Sequence, residues 1–228
     1  MVFLKEFFRK IFFFSLLSGV SGKFYFGLIG VFCCFISGAV GGATTWLPDS
    51  FSAQFTQVYR KTLAGKEQRG HGQIDYAYPG KIKFSADKPD PFIFTSNGHK
   101  TWYYYPPFVE GESGELTVQE QGNLWLNQFF DLLRQGPQTN EHFTATAQNE
   151  SWILKFTPAT VEKLQARSAQ LKFKTKAKKF SELQEIILTK DNGQKVSFIL
   201  AKVNLHPSLA ADYFEFTPPP KTKMKEVP

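Results

Sequence analysis

The chain has 228 residues, of which 42% are hydrophobic and 21% are charged, and its formal net charge is +7. This length and composition are those of a globular protein with room for one large domain, and they exclude an intrinsically disordered chain. A large share of the 25 phenylalanines falls in the first 35 residues, so the folded part is less aromatic than the total indicates.

The first 43 residues have the pattern of a secretion signal. Three basic residues among the first ten precede an apolar run at residues 11–20, and a second apolar run occupies residues 24–40. The small residues that follow predict cleavage near Val40 or Thr44, with a signal peptide over residues 1–43. Alternatively, the second run is retained as a membrane anchor, because its length reaches the lower limit for a spanning helix, about 17 residues.

Cys33 and Cys34 are the only cysteines, and both lie inside the second apolar run. Neither follows the residues that lipid attachment favours, so the mature part is predicted to contain no disulfide. Removal of residues 1–43 takes four of the 27 basic residues and one of the 20 acidic residues, which leaves a mild net charge of +4.

The mature chain opens with a predicted amphipathic helix at residues 48–63. Its apolar residues recur at spacings of three and four, which places them on one stripe, and Asp49 or Ser50 can cap its start. We expect this helix to lie on the sheet that follows. Phe51 and Phe55 are predicted to face that sheet.

Residues 70–105 predict a curved antiparallel sheet. Aromatic and aliphatic residues alternate with polar or small ones, and turn residues separate the runs. The Asn97-Gly98 pair predicts a two-residue hairpin turn, since both residues tolerate positive φ angles. One face of this sheet is predicted to be a wide apolar wall, made of Tyr76, Tyr78, Ile82, Phe84, Phe92, Phe94, Trp102 and Tyr104.

The rest of the chain predicts one further helix and several strands. The helix covers residues 123–135, stops at Gly136-Pro137 and turns Phe129 and Leu133 toward the sheet. Residues 218–228 are predicted to be a flexible tail. Alternating runs predict strands at residues 116–118, 142–148, 151–157, 183–189, 195–203 and 213–216.

Residues 159–179 carry seven lysine or arginine residues and few apolar anchors. Such a stretch could bind acidic headgroups or nucleic acid, but we interpret it as a solvated edge or loop.

The sequence predicts no catalytic residue, no metal ligand and no cofactor. The Gly111-Glu112-Ser113-Gly114 segment lacks the glycine spacing of a nucleophile elbow, and no glycine-rich loop opens a helix. The four histidines lie far apart along the chain, without a carboxylate or cysteine at metal-ligand spacing. Because the basic residues are not interleaved with the aromatic strands, we expect no nucleic-acid partner.

Four stretches of the mature chain occur in an order and spacing that are specific as a set. They are residues 51–57 (FSAQFTQ), 70–79 (GHGQIDYAYP), 96–106 (SNGHKTWYYYP) and 214–219 (FEFTPP). Together they resemble the LolA family of periplasmic lipoprotein carrier proteins. The resemblance implies a mainly β fold with some α, in which an unclosed antiparallel β-barrel is covered by a helical lid, over residues 44–217. The lid residues would then be Phe51, Phe55, Phe129 and Leu133.

The resemblance further implies a non-catalytic periplasmic chaperone that carries lipoproteins from the inner to the outer membrane. Its apolar cavity would shelter their acyl chains, since each methylene costs about 0.8 kcal/mol to expose to water. Its partners would be acylated lipoproteins, an inner-membrane ABC transporter of the LolCDE type and an outer-membrane acceptor of the LolB type, and it would act as a monomer. A LolB-like acceptor, a general periplasmic lipid-binding protein and a secreted hydrolase remain as alternatives.

One residue departs from the pattern that the resemblance implies. Family members often carry an arginine immediately before the proline that corresponds to Pro79, where it bonds to the lid, whereas this chain has Tyr78. A tyrosine carries no charge, so we expect the closed lid to be held less firmly. On this reasoning alone, Tyr78→Arg would tighten the lid.

Overall fold

The computed structural model describes residues 45–60, 65–120 and 125–227. The predicted signal peptide and its two cysteines lie outside these residues. The strands are β1 (Ser50–Arg60), β2 (Glu67–Ala77), β3 (Lys81–Lys88), β4 (Phe92–Asn97), β5 (Thr101–Tyr105), β6 (Glu115–Gln119), β7 (Phe143–Gln148), β8 (Ser151–Phe156), β9 (Ser168–Phe173), β10 (Leu183–Thr189), β11 (Lys195–Asn204) and β12 (Lys223–Val227). The helices are α1 (Trp125–Leu132), α2 (Pro158–Leu164) and a short 3-10 helix, Phe180–Glu182.

The twelve strands of the described residues form one open, curved sheet. Their order is β12-β6-β5-β4-β3-β2-β1-β11-β10-β9-β8-β7, which confirms the predicted mainly β fold. All neighbouring strands pair antiparallel except β12 and β6, which are parallel. The strand order places β1 in the middle of the sheet.

The predicted first helix at residues 48–63 is wrong, because β1 occupies this stretch. The spacing of Phe51, Phe55 and Tyr59 fits a helix, but it also fits a strand whose every second residue is buried, and Ala53 and Gln57 complete that strand pattern. β1 is hydrogen-bonded to β2 on one side and to β11 on the other. These long-range pairings satisfy its backbone groups and override the local helical pattern.

The predicted strand at residues 116–118 and the hairpins β7–β8 and β10–β11 are confirmed. The β4–β5 hairpin is also confirmed, but its turn is centred one residue later than predicted. The side chain of Asn97 accepts hydrogen bonds from the backbone N–H groups of His99 and Lys100, at 2.9 and 2.8 Å. Gly98, with φ of 94°, becomes the first central residue, the position that glycine occupies in a type II′ turn.

The interpretation of residues 159–179 as an edge or loop is correct only for their last part. The first part forms α2, and β9 lies inside the sheet between β8 and β10. Ala169, Leu171 and Phe173 are buried at alternate positions of β9. The apolar alternation of a strand was therefore present in this lysine-rich stretch.

The prediction of a last strand at residues 213–216 is wrong. The prediction of a flexible tail at residues 218–228 is also wrong where the chain forms β12. Residues 205–222, the C-terminal strap, instead cross the outer face of the sheet in turns. The Tyr213 hydroxyl donates to Asp75 at 2.9 Å, and the Phe216 ring packs against Tyr104 at 5.1 Å. One edge of the sheet is formed by β12, which pairs with β6 from Lys223 onward.

Deletion of residues 218–228 is therefore expected to expose the edge of β6. The lost backbone hydrogen bonds should lower the free energy of unfolding by roughly 1–3 kcal/mol. Amide hydrogen exchange should accelerate at residues 115–119 and stay unchanged in β1. Replacement of Lys223 and Lys225 by Gln is the matched control, since it keeps the backbone pairing. Unchanged exchange at residues 115–119 in the deletion variant would contradict the role given to β12.

Candidate functional site

An aromatic wall covers the inner face of the sheet, which is the face that packs against α1. The register sets Phe84 opposite both Ile74 and Phe94, so these side chains share one face. The Phe84 ring stacks on Phe55 with 4.4 Å between the ring centroids. The residues of the predicted wall that are buried on this face are Tyr76, Ile82, Phe84, Phe92 and Phe94.

Two residues of the predicted wall, Trp102 and Tyr104, lie on the outer face. The 97–100 turn pairs even-numbered residues of β4 with odd-numbered residues of β5, so one even-numbered alternation cannot continue across it. Tyr103 is the residue that faces inward, and its ring lies 5.3 Å from that of Phe94. Trp102 and Tyr104 instead form an outer cluster with the apolar residues of β6.

Tyr78 does not belong to the wall either. It follows the last residue of β2 and is 45% exposed, because the chain turns away from the inner face there. The sequence prediction extended the alternation of β2 one step too far.

The four predicted lid residues divide between the sheet and α1. Phe51 and Phe55 are buried on β1, so they form part of the wall and not part of a covering helix. Phe129 lies on α1 and Leu133 directly follows it, and both are buried. The two sets meet where the ring of Phe130 lies 5.1 Å from that of Phe51.

A cleft lies between α1 and the inner face. Its lining is entirely apolar, and its volume is about 20 Å³. Such a volume accommodates about one water molecule, so no acyl chain fits while α1 is in this position. The lining residues are Phe55, Ile74, Phe84, Leu126, Phe129, Phe130, Ile186, Leu188, Phe198 and Leu200.

Polar groups fasten α1 to one corner of the sheet. The Asp131 carboxylate accepts hydrogen bonds from the Tyr76 hydroxyl at 2.5 Å and from the Gly80 N–H at 3.3 Å. The Asn127 side-chain amide donates to the Gly80 carbonyl at 3.0 Å. Burial raises the pKa of the Tyr76 phenol, and its hydrogen bond to Asp131 raises it further. We call this group of four residues the polar corner.

Arg134, in the turn after α1, adds a second set of contacts beside the polar corner. Its guanidinium group lies 2.6 Å from the Asp49 carboxylate and 3.9 Å from the centroid of the Tyr78 ring. The backbone carbonyl of Arg134 accepts a hydrogen bond from the backbone N–H of Trp46 at 3.0 Å. The positive charge of the cation–π contact is therefore supplied by Arg134, on the α1 side, and the aromatic ring by Tyr78, on the sheet side. An arginine at position 78 would instead supply the charge from the sheet side.

Sequence reasoning did not identify Asp131 and Arg134. The one available signal was two charged residues, three positions apart, in the otherwise uncharged segment predicted as a helix. Their partners lie in β2, follow β2 or precede β1, and nothing local to the helix points to those partners.

Tyr78→Arg is now expected to loosen α1, which reverses the sign expected from the sequence. A second guanidinium beside Arg134 would repel it and would remove a cation–π contact of about 0.5–1 kcal/mol. We expect binding of an acyl probe to increase by about fivefold at most, and less at high salt, because Tyr78 is partly exposed. Tyr78→Phe keeps the ring and should leave binding unchanged. Weaker probe binding by Tyr78→Arg would contradict this and support the expectation from the sequence, that the substitution tightens the lid.

Within the described residues, no cluster of three or more His, Cys, Asp or Glu side chains could hold a metal ion. In the same part of the chain, no helix is long and apolar enough to cross a membrane.

Comparison with known proteins identifies relatives of this chain. The profile of a family described as "Outer membrane lipoprotein carrier protein LolA" matches residues 48–217. The outer-membrane lipoprotein carrier protein of Pseudoalteromonas translucida is 29% identical over 171 residues, which cover 75% of this chain and 77% of the relative. The protein of the same name from Dechloromonas aromatica is 26% identical over 172 residues, which cover 75% of this chain and 78% of the relative.

Solved structures show a more distant similarity. A LolA superfamily protein from Nitrosomonas europaea has a TM-score of 0.40 at 12% identity, and the match covers 74% of this chain and 91% of that protein. An uncharacterized conserved protein from Thermus thermophilus has a TM-score of 0.45 at 8% identity, with coverage of 80% and 93%.

Proposed function

Because this chain belongs to the LolA family of outer-membrane lipoprotein carrier proteins, we propose that it shelters the acyl chains of lipoproteins between α1 and the inner face of its sheet. The wall that would contact these chains includes Tyr76, Ile82, Phe84, Phe92 and Phe94. Phe129 and Leu133 would contact them from the α1 side. Phe51 and Phe55 would contact the acyl chains as part of the wall. Trp102, Tyr104 and Tyr78 would not contact them.

The observation that carries the proposal is the apolar cleft, which is nearly closed by a helix. An acyl chain gains about 0.8 kcal/mol per methylene on leaving water, so a long chain supplies several kcal/mol to displace α1 from the wall. Tyr76 and Phe51 would then exchange their contacts with Phe130 for contacts with the acyl chain. Opening and loading are thus a single exchange of apolar contacts.

The polar corner determines how α1 would move. The hydrogen bonds of Asn127 and Asp131 connect this helix to Gly80 and Tyr76 at one corner, while Leu126 and Phe129 contribute only apolar contacts. Apolar contacts of α1 can be replaced by those of an acyl chain, whereas hydrogen bonds cannot. We therefore expect the apolar contacts of α1 to separate first and the hydrogen bonds of the polar corner to break last, so that full opening requires their loss.

The transport route is part of the proposal. In the periplasm the protein would receive acylated lipoproteins from a LolCDE-type transporter in the inner membrane and would deliver them to a LolB-type acceptor in the outer membrane. The name that the relatives share supports lipoprotein as the cargo.

The test is release of a newly synthesised lipoprotein from spheroplasts. Addition of the purified protein should move the lipoprotein into the soluble fraction, and native mass spectrometry should find a complex of one carrier with one acylated cargo. A non-acylated form of the same cargo is the control and should not bind. Release of the acylated form at the level seen without the carrier, or a complex that contains phospholipid alone, would overturn the proposal.

A further inference from the structure

The loop that joins β9 to the 3-10 helix concentrates positive charge. Residues 174–179, the lysine loop, contain four lysines, of which Lys174, Lys176 and Lys179 are exposed. Within the described residues, no carboxylate lies within salt-bridge distance of these three lysines. The nearby Glu182 carboxylate accepts a hydrogen bond from Thr175, so it is engaged inside the loop.

The lysine loop is held in one shape by contacts at both of its ends. The Lys174 N–H donates to the Glu182 carbonyl at 2.9 Å, and the Trp46 indole N–H donates to the Lys178 carbonyl at 3.0 Å. The Lys178 ammonium group lies 5.1 Å from the centroid of the Trp152 ring. A fixed backbone presents the exposed lysines together and lowers the ordering cost of binding.

The lysine loop lies beside the polar corner, where α1 is attached to the sheet. The described residues also begin beside this loop. Phe180, which follows the loop, packs against Phe51 of the wall at 4.9 Å and against Trp46 at 5.5 Å. Trp46, near the start of the described residues, therefore lies next to the lysine loop. A membrane contact at this loop would bring this corner of the sheet close to the lipid.

We propose that the lysine loop is a docking surface for membranes that contain anionic phospholipids. Its four cations are all lysines, which act as hydrated point charges and suit a diffuse layer of headgroups better than a shaped acidic site. Juxtaposed lysines are attracted to an anionic leaflet within one Debye length. Trp46 and Trp152 flank the loop, and tryptophan is the side chain that favours the membrane–water interface.

Vesicle flotation tests the proposal on the full chain as processed and purified from expressing cells. We expect the protein to float with vesicles of phosphatidylcholine mixed with phosphatidylglycerol, to lose this binding at high salt, and to bind little to phosphatidylcholine alone. The triple variant Lys174→Gln, Lys176→Gln, Lys179→Gln should bind the anionic vesicles at least tenfold more weakly, since each lysine contributes roughly fivefold. Inorganic phosphate at millimolar concentration should not compete.

A matched control changes three exposed lysines elsewhere, Lys163, Lys195 and Lys225, to Gln and should retain vesicle binding. An equal loss in both triple variants would show an effect of net charge alone and would overturn the proposal. Equal, salt-insensitive binding to both vesicle types, or binding only to an acidic soluble protein, would also overturn it. Binding of a fluorescent fatty acid should stay unchanged in the loop variant, so failure here is distinguishable from failure of the carrier function.

Discussion

Replacement of Phe84 by Glu is expected to abolish binding of a fluorescent fatty acid. Phe84 is 3% exposed, lines the cleft and stacks on Phe55, so the new carboxylate would lie against the acyl chain. Burial of an unpaired charge costs several kcal/mol, which exceeds what a few methylenes gain. Fluorescence titration measures the loss, with a predicted decrease in affinity of two orders of magnitude or more.

Two further variants separate a blocked cleft from a misfolded protein. Lys83→Glu introduces the same charge at the neighbouring position on the outer face, and it should retain fatty-acid binding. Phe84→Ala should lower the free energy of unfolding by about 3–5 kcal/mol but should still bind, because it leaves the cleft apolar and wider. If Phe84→Glu bound normally while Lys83→Glu did not, the assignment of the inner face would be wrong.

Tyr76→Phe is expected to strengthen fatty-acid binding. The substitution removes the 2.5 Å hydrogen bond to Asp131 but keeps the aromatic ring against Phe51. A hydrogen bond to a charged group contributes roughly 1.5–3 kcal/mol, so the equilibrium between closed and open α1 should shift by tenfold or more toward the open form. Apparent affinity rises with the open population as long as that population remains small.

Fatty-acid titration and amide hydrogen exchange in α1 together measure this effect. Tyr213→Phe is the control, because it removes a comparable bond, from Tyr213 to Asp75, on the outer face. It should lower stability without changing fatty-acid affinity or exchange in α1. Unchanged affinity in Tyr76→Phe would mean that the polar corner does not limit opening.

The alternation of apolar residues predicted much of the sheet. In β3 and β4, Phe84 and Phe94 lie on the predicted face because period-two burial depends only on residues close in sequence. β1 was misread because Phe51, Phe55 and Tyr59 satisfy two periods at once. The pairing of β1 with β11, distant in sequence, decides between them.

The candidate site was less predictable than the fold. Whether Trp102 or Tyr103 lies on the inner face depends on the register across one turn, and a shift of one residue exchanges the two faces. The contacts of Asp131 and Arg134 depend on where α1 lies against the sheet. The position of a helix against a sheet leaves no periodic signal in the sequence. The volume of the cleft depends on that position, so it could not be predicted either.

The central position of β1 has a consequence for how the chain folds. Phe55 pairs with Gly72 on one side and with Leu200 on the other, so one edge of β1 stays without its partner until nearly the whole chain is available. Pairings so distant in sequence slow folding, because the entropy of closing a long loop is lost before the contacts form. A nascent chain that ends before β11 is therefore expected to leave one edge of β1 unpaired. For a chain exported as proposed above, this delay in folding would favour passage through a translocation channel in extended form.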